Sequence, residues 1–181
     1  GRGVAYCASC DGMFYKGKTV AVIGGGNSAV SDALLLSRIA ARVILIHRRS
    51  SLRADKIYHK AMQDAPNIEF RWNSRVTSLL QEGSRLAGLG LQDVNSGEES
   101  ILACDGAFIS IGRQPQTELA AGRLSMDENG YIIADETTAT SIPGVYAAGD
   151  VRTKSLRQVV TAMADGAAAV HEAQGYLASG N

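Results

Sequence analysis

The chain has 181 residues, 45% of them hydrophobic and 20% charged, which suits one ordinary globular domain or two small lobes and argues against disorder or a coiled coil. Eighteen Lys plus Arg balance eighteen Asp plus Glu, so the general attraction that drives nucleic-acid binding has no overall source. No apolar run approaches the roughly 20 residues that span a bilayer, the start is not an apolar signal stretch, and three cysteines are too few for a disulfide-framed secreted domain. A cytoplasmic protein with no nucleic-acid and no membrane partner is expected.

Residues 18–23 (KTVAVI) read as a short buried strand, broken by Gly24-Gly25-Gly26. A helix over 28–41 follows, with Ala29, Ala33, Leu36 and Ala40 at helical spacing, and then a second strand over 43–46. That is a βαβ unit, whose crossover should be right-handed. A second helix is expected over 55–64, ended by Pro66, and a third strand over 68–72. Three β-like segments, 76–80, 86–94 and 100–103, are then separated by turn sequences, so a β-meander stands where a crossover helix would be expected. Residues 106–111 (GAFISI) return as a strand and close the parallel sheet.

Beyond Gly112-Arg113-Gln114-Pro115 the chain turns polar and loop-rich, with short strands expected over 131–134 and 144–150 (GVYAAGD) and an alanine-dense helix over 157–177. So little material makes a poor core, so residues 113–181 read as part of a further domain. The expected fold class is α/β. A Rossmann-like parallel sheet with a β-meander connection occupies 1–112, and a C-terminal strand-turn-helix piece of a second α/β domain occupies 113–181.

Gly24, Gly25, Gly26, Asn27, Ser28 and Ala29 match G-x-G-x-x-A where a strand becomes a helix. Gly24 permits the tight turn, Gly26 lets backbone N–H groups approach a pyrophosphate, and Ala29 lets helix and strand pack closely. About twenty residues on, a dinucleotide domain tests the adenosine ribose, and an acid there would accept a bond from the 2′-hydroxyl of NAD. This chain has His47-Arg48-Arg49 followed by Arg53. Guanidinium forks suit a 2′-phosphate, so the expected ligand is NADP(H).

Cys7 and Cys10 have the spacing of a dithiol that closes into a short disulfide loop, and Asp11 beside them is a candidate proton donor or acceptor. A structural zinc site wants about four ligands, and Cys104, His47, His59 and His171 show no second ligand spacing, so no metal is expected. Cys104 reads as an inert buried residue. Gly149-Asp150 places a carboxylate on a close-approach turn, suited to a ribose or ribityl hydroxyl. Arg157 and Gln158 open the last helix, either facing the polar edge of a flavin or serving as ordinary helix caps.

With CASCDG (7–12), GGGNSA (24–29), HRRSSLR (47–53), IGRQPQT (111–117), GVYAAGD (144–150) and Arg157-Gln158 in this order, the chain closely resembles the low-molecular-weight thioredoxin reductases. The resemblance implies an NADPH domain that carries the dithiol and is inserted into an FAD domain, with electrons passing from NADPH to FAD to the cysteine pair to thioredoxin. It implies that Cys10 lies beside the flavin and Cys7 attacks thioredoxin, with Asp11 as acid/base. Arg48, Arg49 and Arg53 would hold the 2′-phosphate, with Ile111 and Gly112 also on the cofactor side. Gly149, Asp150, Arg157, Gln158 and Val159 would line the FAD site. A homodimer is the implied assembly.

Ser9 stands where that family usually has Thr. The chain has no initiator Met, and the first part of an FAD domain does not precede Gly1, so a fragment is expected. Two alternatives accompany the leading one: a non-catalytic NADP-binding fragment, and the flavoprotein reductase partner of an alkyl hydroperoxide peroxidase. The latter usually prefers NADH, which makes the arginine cluster the discriminating feature.

Overall fold

The computed structural model describes residues 2–180, which fall into two compact units, Gly1–Gly112 and Arg113–Asn181. In the first unit the strands are β1 (Val4–Ala5), β2 (Thr19–Ile23), β3 (Arg42–Ile46), β4 (Ile68–Arg71), β5 (Ser74–Glu82), β6 (Arg85–Asp93), β7 (Glu99–Ala103) and β8 (Gly106–Ile109). Its helices are α1 (Ala8–Asp11), α2 (Asn27–Ser37) and α3 (His59–Asp64). A five-stranded sheet in the order β1-β8-β2-β3-β4 is parallel throughout, and β5-β6-β7 form a separate antiparallel meander.

The central strands are near-continuous apolar runs because both faces of the sheet are covered. With a side-chain period of two, Val20 and Val22, Val43 and Leu45, and Phe108 point to one face, where they pack with Ala29, Ala33 and Leu36 of α2. Ala21, Ile44, Ile46 and Ala107 point to the other, against Leu86, Leu89, Leu91 and Leu102 of the meander. Cys104 is buried in this second cluster, and burial pushes its thiol up to about 11, so it is inert.

Some boundaries differ from those the sequence suggests. The predicted helix over 55–64 is a 3₁₀ turn, Lys56–Tyr58, followed by a short α3. Asp55 stands at the turn's N-cap but makes no side-chain cap; its carboxylate and its backbone N–H instead bond the Asn27 side chain, at 2.8 Å each. Helix α2 starts at Asn27 and stops at Ser37, although Ala40 beyond it is still buried. β1 and α1 carry no sequence signal, being two and four residues long.

In the second unit the strands expected over 131–134 and 144–150 do not form. Ile132 makes single bridges to Met126 and Arg152, and Tyr146 makes one to Ala139, so neither segment has a ladder along its length. Residues Gly149–Val151 form a 3₁₀ turn instead. Helix α4 (Val159–Ala178) is the main element, and Asp165 is its one buried residue among those described. Val159, Val160, Met163, Val170 and Leu177 all lie exposed along it. No described helix is long and apolar enough to cross a membrane.

Candidate functional site: a glycine-turn cleft and a cysteine pair on one sheet edge

The parallel strands all end on one edge, and β2 lies at the point where the strand order reverses, with β3 on one side and β8 on the other. Ligands bind α/β sheets in this crevice. A cleft of about 800 Å³ opens here, lined by Gly24, Gly25, Gly26, Asn27 and Ser28, by His47, Arg48 and Arg53, and by Ile111 and Gly112. Ten of the residues singled out in the sequence are thus brought together.

Each glycine has its own reason. Gly24 has φ of +148°, and a Cβ there would sit 2.3 Å from the Ser110 carbonyl oxygen and 2.8 Å from the Ala29 Cβ, so the turn and the close helix packing both require glycine. A Cβ on Gly25 would come within 2.5 Å of the His47 ring. Gly26 is different: the nearest atom to a Cβ would be Arg53 Nη2 at 3.9 Å, so its face is open to the cleft. It is also the N-cap of α2, whose first-turn N–H groups have no acceptors within the helix. These groups and the positive end of the helix suit a pyrophosphate.

The segment after β3 is strapped onto this turn. The N–H groups of Arg53 and Ala54 donate to the Gly25 carbonyl at 2.7 and 3.1 Å, and the mutual Asn27–Asp55 bonds fix the next step. Arg48 and Arg53 therefore stand at the rim with their guanidiniums exposed, where an acceptor-rich group can meet them. Arg49 is exposed but does not line the cleft. Arg75, at the start of β5, adds a cation that sequence reasoning missed, since nothing in the sequence ties the meander to this edge. Among the described residues no carboxylate lines the cleft.

His47 is buried at the end of β3, its backbone held by the Arg71 carbonyl and by the Ser74 N–H, and its ring edge-on to Trp72. Burial, with Arg53, Arg49 and Arg48 adding repulsion, holds its pKa below the usual histidine value, so the ring is neutral at pH 7. Its Nε2 is buried without a hydrogen-bond partner in a residue that lines the cleft, so its polar capacity is unsatisfied within the protein. Across the turn, Ser110 donates to Asp32 of α2 at 2.6 Å and so fixes the β8 end against the helix, another contact without a sequence signature.

The cysteines follow β1, which is parallel to β8, so they leave the sheet at the same edge as the glycine turn. Cys7 and Cys10 are joined as a disulfide. Cys7 is the N-cap of α1, and its Sγ accepts the Cys10 N–H at 3.2 Å and lies 3.3 Å from Ser9 Oγ. Cys7 is half-buried, Cys10 is exposed and Asp11 is half-buried. None of the three lines the cleft.

In the second unit Gly149, at φ of +82°, donates its N–H to Asp165 at 2.9 Å. Asp165 also accepts from Arg152 at 3.0 and 3.1 Å and from Lys154 at 2.6 Å, all with buried side chains. These bonds, led by those from Arg152, hold the carboxyl well below the usual carboxylate range. Nothing in the sequence distinguishes Asp165 from Glu172, the other acid of this alanine-rich helix, as the anchor. It sets the Gly149 turn and leaves the Asp150 carboxylate exposed. Gln158 closes a capping box with Thr161, so it has the capping job that the sequence offered as its alternative role. Arg157 lies over the Tyr131 ring at 3.9 Å with its Nε buried and unpartnered, and Val159 is exposed.

Comparison with known proteins agrees with this architecture. The profile of the family described as pyridine nucleotide-disulphide oxidoreductase matches residues 1–166. A thioredoxin reductase of Streptomyces clavuligerus is 46% identical over 184 residues, covering 99% of this chain and 56% of the relative. One from Treponema pallidum is 46% identical over 177 residues, covering 98% and 57%. The crystal structure of thioredoxin reductase from Streptococcus pyogenes superposes with a TM-score of 0.92 at 39% identity, covering 98% of this chain and 58% of that one. The chain thus spans a little over half the length of the relatives it matches. A nucleotide-type glycine cleft and a closed cysteine pair on one sheet edge, matched by a family profile over most of the sequence, establish that the chain belongs to the pyridine nucleotide-disulphide oxidoreductase family.

Proposed function

We propose that this chain is the NADPH-binding, dithiol-bearing part of a thioredoxin reductase, together with a C-terminal portion of its FAD domain. The observation that carries the reading is the pairing of an arginine-rimmed, acid-free cleft at a glycine turn with a Cys7–Cys10 disulfide at the same sheet edge. The similarity to thioredoxin reductases supports thioredoxin as the substrate. A cytoplasmic homodimer is the assembly we propose with it.

The cleft fits a dinucleotide. Gly26 leaves room for close approach, the orphaned His47 Nε2 offers a polar contact, and Arg48 and Arg53, with Arg49 nearby, supply charge for a 2′-phosphate. Ser28 and Asn27 lie at the α2 N-terminus, Ala29 keeps that helix against the strand, and Ile111 and Gly112 also line the cleft. The absence of a lining carboxylate favours NADPH over NADH, because an acid there would repel the phosphate. In the second unit the anchored Gly149 turn, the exposed Asp150 and the unpartnered Arg157 Nε fit a polar contribution to FAD, with Gln158 and Val159 at the start of α4.

When bound, NADPH supplies a hydride and FAD relays its two electrons. The chain's own chemistry is thiol–disulfide exchange. Two electrons and one proton open the Cys7–Cys10 bond to a thiol at Cys10 and a thiolate at Cys7, with Asp11, next to Cys10, as the acid/base group. The Cys7 sulfur then attacks the thioredoxin disulfide, and Cys10 displaces thioredoxin from the resulting mixed disulfide and restores the Cys7–Cys10 bond.

The test is Cys7→Ser and Cys10→Ser in the holoenzyme. Each variant should lose NADPH-dependent thioredoxin reduction while binding NADPH with unchanged affinity. Undiminished turnover in either would refute the dithiol assignment.

A further inference from the structure

The two-residue spacer between the cysteines is not inert. Cys7 Sγ and Ser9 Oγ lie 3.3 Å apart, and a sulfur in a disulfide has no proton, so Ser9 is the donor of this hydrogen bond. The same sulfur accepts the Cys10 N–H at 3.2 Å. Cys7 Sγ is therefore approached by one fixed backbone donor and one side-chain donor, both supplied by the short helix that Cys7 itself caps.

We propose that Ser9 is a positioning residue for the redox pair: its hydroxyl, donating to Cys7 Sγ, holds that sulfur in place and stabilises it as the thiolate once the disulfide is open. The proposal rests on the function given above only in taking Cys7 as the attacking sulfur.

When two electrons from the nicotinamide reductant enter the S–S bond, one proton goes to the Cys10 sulfur and the Cys7 sulfur keeps its electron pair as an anion. A hydrogen bond to an ionised acceptor is roughly twice as strong as one to a neutral acceptor, so the Ser9 donor favours the thiolate over the thiol. When the thiolate attacks a disulfide, a new S–S bond forms at Cys7, the partner's S–S bond breaks, and the partner's other sulfur leaves as a thiolate. The Ser9 hydroxyl keeps its proton throughout.

The test is the pH profile of alkylation of Cys7 by iodoacetamide, read at that residue by peptide mass spectrometry. The 181-residue chain is used in a Cys10→Ala background, which opens the disulfide but retains the backbone N–H of residue 10. Cys104 stays silent because it is buried, with its thiol pushed up to about 11.

Adding Ser9→Ala should move the midpoint of the profile up by about one pH unit. Below the midpoint the thiolate fraction falls ~10-fold while its intrinsic nucleophilicity rises ~3-fold, so the rate drops about 3-fold. On the alkaline plateau the rate instead rises about 3-fold, and the two curves cross. Altered packing alone would scale both limbs in the same direction. Ser9→Thr keeps the hydroxyl and should restore the original profile.

Superimposable curves for the Ser9→Ala and parent chains, or failure of Ser9→Thr to restore the profile, would overturn the proposal. The assay needs neither flavin nor thioredoxin. A shifted profile in an enzyme that does not reduce thioredoxin would therefore refute the function and leave the Ser9 assignment standing.

Discussion

Replacing Arg48 and Arg53 together with Ala should weaken NADPH binding about 100-fold and leave NADH binding within a factor of about 3. Both guanidiniums reach the cleft rim from a segment whose backbone is strapped to the Gly25 carbonyl by two hydrogen bonds, and those bonds survive the substitutions. A charge-assisted hydrogen bond contributes about 1.5–3 kcal/mol, and both side chains are exposed, so the lower end applies to each. Two such losses total about 3 kcal/mol, or roughly two powers of ten in affinity. Arg49→Ala, outside the cleft lining, should cost less than either single substitution. The assay is isothermal titration of the chain with each dinucleotide at two ionic strengths, and the NADPH difference should shrink at higher salt. Equal losses for NADPH and NADH would refute the assignment of this rim to the 2′-phosphate.

Three further outcomes follow from the packing. Because the folded protein holds His47 below its ordinary pKa, its contribution to stability is complete above about pH 6.5 and declines as the pH falls toward the folded value; His47→Gln should flatten that acidic limb in thermal melts, and an unchanged limb would contradict it. Asp165→Asn removes the anion that Arg152 and Lys154 face inside the protein and should destabilise the second unit by about 3–5 kcal/mol in urea unfolding, whereas a loss under ~1 kcal/mol would show that the cluster is solvated. Gly24→Ala should cost at least ~2 kcal/mol through its positive φ and the blocked Ser110 carbonyl, while Gly17→Ala, with a positive φ but open space, should cost only about 1 kcal/mol. Similar melting temperatures for the two variants would refute that difference.

The first unit is legible in the sequence where a pattern repeats. Residues 20–22 and 43–46 are buried on both faces, and that makes them apolar runs; the meander shows as three segments parted by Gly83 and by the turn at Gly97. β1 is invisible because two residues have no period and its place comes from pairing with β8. The segment 144–150 misleads for the opposite reason: it has strand-forming composition, but Tyr146 pairs only with Ala139.

In the candidate site, the glycine turn, Arg48, Arg53 and the cysteine pair can be read from spacing. The burial of His47 against Gly25, the approach of Arg75, the Ser110–Asp32 bond and the Asp165 anchor cannot. Each joins residues whose proximity is created by the fold.

The central claim is that NADPH opens the Cys7–Cys10 disulfide. Its most direct test is to add NADPH anaerobically to the holoenzyme, trap the thiols by alkylation, and locate them by mass spectrometry. The account predicts two new thiols per chain, at Cys7 and Cys10, with far less labelling when NADH replaces NADPH at the same concentration. A disulfide that stays closed under NADPH would contradict it.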